Sequence, residues 1–132
     1  MGIEKKSWVM MALIVFAVAG IAAVDRYSQG RYKNLKILPQ DITEKRMDSI
    51  MDSYTKALGV NCAFCHTEVK NFKDSIDYAS DENVMKENAR AMMRMTIEIN
   101  KTHFYFDKNE RPEYLKVISC KTCHRGEPFP AE

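Results

Sequence analysis

The pattern Cys62-Ala63-Phe64-Cys65-His66 returns once, as Cys120-Lys121-Thr122-Cys123-His124. Together the two copies use all four cysteines and two of the three histidines. Each is C-x-x-C-H, in which two thiols can add to the vinyl groups of a c-type haem while the adjacent imidazole takes an axial position on iron. A redox dithiol, half a zinc site or structural disulfides would use the same cysteines. The repetition tells against them. A four-thiolate zinc site gives no reason for a histidine after each pair, and a thioredoxin-like centre needs one motif inside a βαβ pattern, which is not visible. The chain is therefore expected to fold around two covalently attached haem c groups. Cys62, Cys65, Cys120 and Cys123 are the attachment points, and His66 and His124 are iron ligands.

That expectation constrains the core. A chain of 132 residues with 10% aromatics makes one domain with a small core of its own. Two large apolar plates would supply much of the rest, so the apoprotein is expected to be poorly folded. A cooperative melt of haem-free protein would contradict this. The formal net charge of +2 gives no electrostatic case for nucleic-acid binding. About four haem propionates would bring the holoprotein nearer to neutral or acidic.

Residues 8–24 are an unbroken apolar or small-residue run, preceded by Glu4, Lys5 and Lys6. Its length suits a short membrane-spanning helix and exceeds most signal-peptide cores. Ala17-Val18-Ala19 could serve as a cleavage site, but the length favours an uncleaved signal anchor. Trp8, Tyr27 and Tyr32 stand where interfacial aromatics would sit. Arg26, Arg31, Lys33 and Lys36 outnumber Lys5 and Lys6, which taken alone would place the C-terminal side in the cytoplasm. The haem motifs override that count, because such haems are attached outside the cytoplasm. The expected organisation is an anchor over residues 1–25, a polar tether over 26–40 and a mainly α dihaem cytochrome domain over 41–132. The predicted location is the bacterial inner membrane, single-pass, with the haem domain on the periplasmic side.

Within that domain, Asp41 with Glu44 three residues on predicts a capped helix carrying Met47, Ile50, Met51, Tyr54 and Leu58 at helical spacing, closed by Gly59. Residues 67–83 read as a loop. Ser80 or Asp81 could cap a second helix from about Val84 to Lys101, with Met85, Ala89, Met92, Met93, Thr96 and Ile99 on or near one face. Residues 107–110 look like a turn, Pro112 could start a short helix, and residues 114–118 fit strand or helix. The organisation is a helix-loop-C-x-x-C-H repeat, with methionines on each helix.

What fills the sixth position on each iron separates an electron carrier from an enzyme. A methionine thioether is soft and neutral, stabilises ferrous iron and raises the potential relative to two histidines. Met51, eleven residues before Cys62, and Met47 one turn earlier are candidates for the first iron. Met92, Met93, Met95 and His103 are candidates for the second, and spacing does not choose among them. The bland alternative for each methionine is gap-filling in the core.

The stretches LGVNCAFCH (58–66), ARAMMRMTIEIN (89–100) and CKTCHRGEP (120–128) resemble the cytochrome c subunit of photosynthetic reaction centres. The resemblance runs from about Asn34 to Pro130. It implies that each haem lies against its preceding helix, with Met51 and Met92 as the distal ligands. The family subunit has four haems in two pairs, whereas this chain resembles a single pair. The family histidine that crosses to the other pair is replaced here by a region holding Phe104, Tyr105 and Phe106, with His103 out of register. An extra segment also precedes Cys120.

The chain shows no phosphate loop and no nucleophile paired with a base. The expected function is electron transfer by a membrane-anchored dihaem cytochrome between a membrane redox complex and another carrier, soluble or not, with each iron held by histidine and methionine. Arg125 is expected to contact a haem propionate. The alternative is a small dihaem peroxidase or gas-binding sensor, which needs one open iron. A third reading makes the haems purely structural.

Overall fold

In the computed structural model, residues 32–72 and 74–130 are described, together with Trp8, Met10, Met11 and Ile14. Those four are helical and exposed. The rest of the expected membrane span over 8–24 lies outside the described residues, as do the cleavage site and Tyr27. No helix among the described residues is long and apolar enough to cross a membrane. Asn34–Glu132 forms one compact unit, separate from Met1–Lys33.

Helix α1 spans Glu44–Leu58. Its N-cap is Thr43, whose hydroxyl accepts from the Arg46 N–H at 3.3 Å. The expected cap, Asp41, instead accepts both Nη atoms of Arg111 at 2.7 and 2.8 Å. The fork geometry of that pair outcompetes an N-cap bond. Gly59 ends the helix in the left-handed region at φ 65°, donating to the Thr55 carbonyl. Ile50 and Ala57, two turns apart, are the buried residues of α1.

The stretch after the first motif is not wholly loop. A minimal antiparallel pair, β1 Thr67–Glu68 and β2 Ile76–Asp77, aligns Thr67 with Asp77 and Glu68 with Ile76. Helix α2 spans Val84–His103 and is capped by Asn83, whose side chain accepts from the Met85 N–H at 3.0 Å. Its buried residues are Lys86, Arg90 and Asn100. Together with Met93 and Ile97 they fall at steps of four and three, so the inward stripe of α2 is largely polar. The expected apolar face lies one residue round from it.

A 3-10 turn at Pro112–Tyr114 starts on Pro112 as anticipated, and no strand forms over 114–118. Helix α3, Cys120–His124, is the second motif itself. It packs on α1, where the Gly126 N–H donates to the Ala57 carbonyl at 2.8 Å. A Cβ on Gly59 would collide with the Gly126 carbonyl, so the close approach requires glycine there. Among the described residues, the buried apolar side chains are Leu38, Ile42, Ile50 and Ala57. The core is as small as the composition suggested.

Candidate functional site

The first motif is a 3-10 turn over Cys62–Phe64, and the His66 N–H donates to the Cys62 carbonyl at 3.0 Å. Its backbone is held by α2. The Asn83 amide donates to the carbonyls of Phe64 at 3.1 Å and Ala63 at 3.4 Å while its oxygen caps the helix. His66 packs edge-on against the Tyr78 ring, with centroids 5.1 Å apart. Burial lowers the imidazole pKa below its ordinary value, and the nearby Lys86 ammonium adds to the effect. His66 Nδ1 and Thr67 Oγ1 are buried with no hydrogen-bond partner among the described residues. Cys62 is exposed and Cys65 less so, and burial raises the Cys65 thiol pKa.

The second motif is helical because its start is capped. The Ser119 N–H donates to Thr122 Oγ1 at 3.0 Å. Asn100 of α2, 1% exposed, fixes the approach: its amide donates to the carbonyls of Leu115 at 3.1 Å and Ile118 at 2.8 Å, and its oxygen accepts from the Ile118 N–H at 2.8 Å. Arg125 at φ 54° and Gly126 at φ 101° then turn the chain back, so that His124 Nδ1 lies 3.0 Å from the Glu127 carbonyl oxygen. A carbonyl only accepts, so Nδ1 carries the proton and Nε2 is left as a lone-pair donor. That is the tautomer an iron-ligating histidine needs. Arg125 is exposed.

A cavity of about 370 Å³ lies between α1, α2 and the second motif, at the lower end of the size range of small-molecule sites. Ile50, Tyr54, Ile97, Leu115 and Ile118 give it apolar walls, and Cys120 stands in its lining. Burial raises the pKa of Cys120 and, with the neighbouring Cys120 sulfur, that of Tyr54. Lys56, Lys116 and Lys121 also line it, so cations are available for acidic substituents. Apolar walls, one lining thiol and cations, with an oriented imidazole four residues along α3 from that thiol, make a donor set that fits a covalently held haem, although Cys123 and His124 themselves are not in the lining.

The candidate methionines divide. Met93 lines the cavity with Thr96 and Ile97, whereas Met92, 44% exposed, and Met95, 45% exposed, do not. On α1, Ile50 lines it, and Met51, half-buried, sits one residue round the helix. Met47 is likewise half-buried. His103 ends α2 with its ring exposed, at an edge-on distance of 6.4 Å from Phe104. The two cysteine pairs form no common metal cluster among the described residues. Phe64, inside the first motif, meets Phe129, five residues beyond the second, with the rings edge-on at 6.4 Å.

Four residues that organise the site escaped sequence reasoning: Asn83, Lys86, Arg90 and Asn100. Their spacing along α2 was a usable signal, because Lys86, Arg90, Met93, Ile97 and Asn100 share a face. Hydrophobicity alone pointed to its neighbour.

The sequence pattern described as the photosynthetic reaction centre cytochrome c subunit matches residues 10–132. The photosynthetic reaction center cytochrome c subunit of Roseobacter denitrificans is 31% identical over 103 residues, covering 76% of this chain and 26% of that protein. Cytochrome c-554 of Chloroflexus aurantiacus is 36% identical over 72 residues, covering 54% of this chain and 15% of that protein. The chain thus spans about a quarter or less of the length of these relatives. No solved structure matches it.

Proposed function

The chain belongs to the photosynthetic reaction centre cytochrome c subunit family, and from that premise we propose that it is a dihaem electron carrier. In this reading residues 8–24 anchor it in the bacterial inner membrane, and electrons pass on the periplasmic side between a membrane redox complex and another carrier. Bound haem c supplies reversible one-electron chemistry. The observation that carries the reading is the hydrogen bond from His124 Nδ1 to the Glu127 carbonyl, which leaves Nε2 as the ring's lone-pair nitrogen on the same short helix as Cys120, the thiol that lines the cavity.

The residues divide the work. Cys62 and Cys65 would hold one haem and Cys120 and Cys123 the other, while His66 and His124 would bind iron. Met51 and Met92 would be the further iron ligands, and a thioether there would close each iron to small molecules. Arg125 would pair with a propionate. Ile50, Ile97, Leu115 and Ile118 keep water from the second site, which limits solvent reorganisation and favours the less charged, ferrous state.

A redox titration of the purified protein followed by visible absorption, with carbon monoxide added to the reduced form, tests this. Two reversible steps, a methionine-to-iron charge-transfer band and no carbon monoxide binding are expected. Rapid carbon monoxide binding at one haem would replace the carrier with the small peroxidase or gas sensor. Comparison of Met92→Leu with Met93→Leu settles the second ligand. Only the former should lower one potential and open its iron, and the reverse outcome would move the ligand to the cavity-lining methionine.

A further inference from the structure

Helix α2 buries two cations close to the first motif. Lys86 is 9% exposed and Arg90 6%. Lys86 Nζ donates to the carbonyls of Tyr78, Ala79 and Ser80 at 3.0, 3.0 and 2.6 Å and lies 3.2 Å from an Asp81 carboxylate oxygen. Arg90 donates to Asp81 at 2.8 Å, to Glu87 at 3.0 Å and to the Asn34 carbonyl at 3.1 Å. Lys36 also pairs with Asp81, at 2.7 Å, and Arg94 with Glu87, at 2.9 Å.

Four cations therefore share two carboxylates. The inner members are the cations, whereas the side chains of Asp81 and Glu87 are 40% and 56% exposed. Water screens the anions more than the buried ammonium and guanidinium, so the cluster carries net positive charge on its inner side. A buried ion pair is a poor way simply to fasten a loop, because its desolvation cost offsets much of its attraction. The fastened segment bears on the iron ligand, since Tyr78 is the residue whose ring rests on His66 at 5.1 Å.

We propose that Lys86 and Arg90 are positioning residues for the first haem: they clamp residues 78–81 so that Tyr78 orients His66, and their buried charge sets the first haem's reduction potential above the second's. This rests on the two-haem reading above. Reduction removes one positive charge from the iron centre, so a nearby poorly screened cation disfavours the ferric form. The second motif has a different environment. The cations that flank it in sequence, Lys116, Lys121 and Arg125, are exposed, and His124 is oriented by a backbone carbonyl. A single electron shared by the pair resides on the first haem.

The test is a spectroelectrochemical titration of the holoprotein, with electron paramagnetic resonance of the ferric state. The first haem's step is identified as the one missing from a Cys62→Ala/Cys65→Ala protein. Lys86→Met and Arg90→Gln are each expected to lower that step and leave the other in place, and Lys86→Met to shift the first haem's ferric signal as His66 reorients. Lys86→Arg should restore the potential. A first step that stays put in either charge-removing variant overturns the proposal. So does an equal fall of both steps, or a Lys86→Arg protein that falls as far as Lys86→Met. Should Lys86→Met fail to fold, Arg90→Gln, which keeps a hydrogen-bonding amide in place, carries the decision. A wild type with no haem on Cys62 and Cys65 overturns the two-haem reading together with this one, whereas two wild-type steps with unmoved variants overturn this one alone.

Discussion

The two C-x-x-C-H segments are near copies in sequence and are housed by different means. The first is a 3-10 turn, held at the start of α2 by Asn83 and backed by an ionic cluster with two buried cations, one of which holds the carbonyl of Tyr78, whose ring rests on His66. The second is a capped α-helix, held near the end of α2 by Asn100 and docked on α1 through backbone contact between Gly126 and Ala57. Even the exposed thiol is exchanged, being Cys62 in the first and Cys123 in the second. The local pattern prescribes the attachment chemistry alone. Orientation of each imidazole is left to whatever support the fold provides, which is an aromatic contact for one and a main-chain hydrogen bond for the other.

The largest expected effect comes from deleting either attachment pair. Cys62→Ala/Cys65→Ala and Cys120→Ala/Cys123→Ala should each halve the haem content in a pyridine haemochrome assay. The second should also lower the melting temperature more, because α3 is packed on α1. Equal melts would mean that the two housings contribute alike.

Gly59→Ala comes next. It forces a side chain into the left-handed region and against the Gly126 carbonyl. Strain and loss of the Ala57 to Gly126 bond should cost roughly 2–4 kcal/mol in denaturant unfolding. The spectral change should fall on the second haem.

The two asparagines sharpen the comparison. Asn100→Ala removes three hydrogen bonds at a fully buried position and should cost roughly 2–3 kcal/mol, whereas Asn83→Ala removes as many at a half-buried position, where water can replace them, and should cost about 1 kcal/mol. A larger loss for Asn83 would overturn the ranking of the two clamps.

The smallest effect is a pH dependence at the strap before the second motif. The Arg111 guanidinium holds the Asp41 carboxyl below its ordinary value of 3.8. The pair's contribution is therefore present above that value and lost as pH falls below it through the folded-state pKa. Both groups are about half exposed, so the effect is small. The melting-temperature gap between wild type and Arg111→Gln should narrow from about pH 7 to about pH 2. A constant gap would show that the ion pair is not its source.

Much of this was legible in the residues. The cysteine and histidine spacing, the mainly helical unit, the Gly59 stop, the Pro112 start and the family all follow from local signals. Those signals work because caps, positive-φ glycines and covalent attachment depend on a few adjacent atoms. The N-cap of α1 was misplaced because Asp41 answers to Arg111, seventy residues away. The inward face of α2 was misjudged because hydrophobicity assigns Lys86 and Arg90 to solvent, and only partners brought in by the fold make their burial tolerable: three carbonyls of residues 78–80 for Lys86, and Asp81, Glu87 and the Asn34 carbonyl for Arg90.

The sequence by itself determined which atoms can bind haem, because covalent chemistry needs only the thiols and the imidazole at fixed spacing. The tertiary structure decided how each imidazole is held, which α2 residues face inward and that Met93 lines the cavity. These depend on partners distant in the chain, whose positions no local pattern encodes.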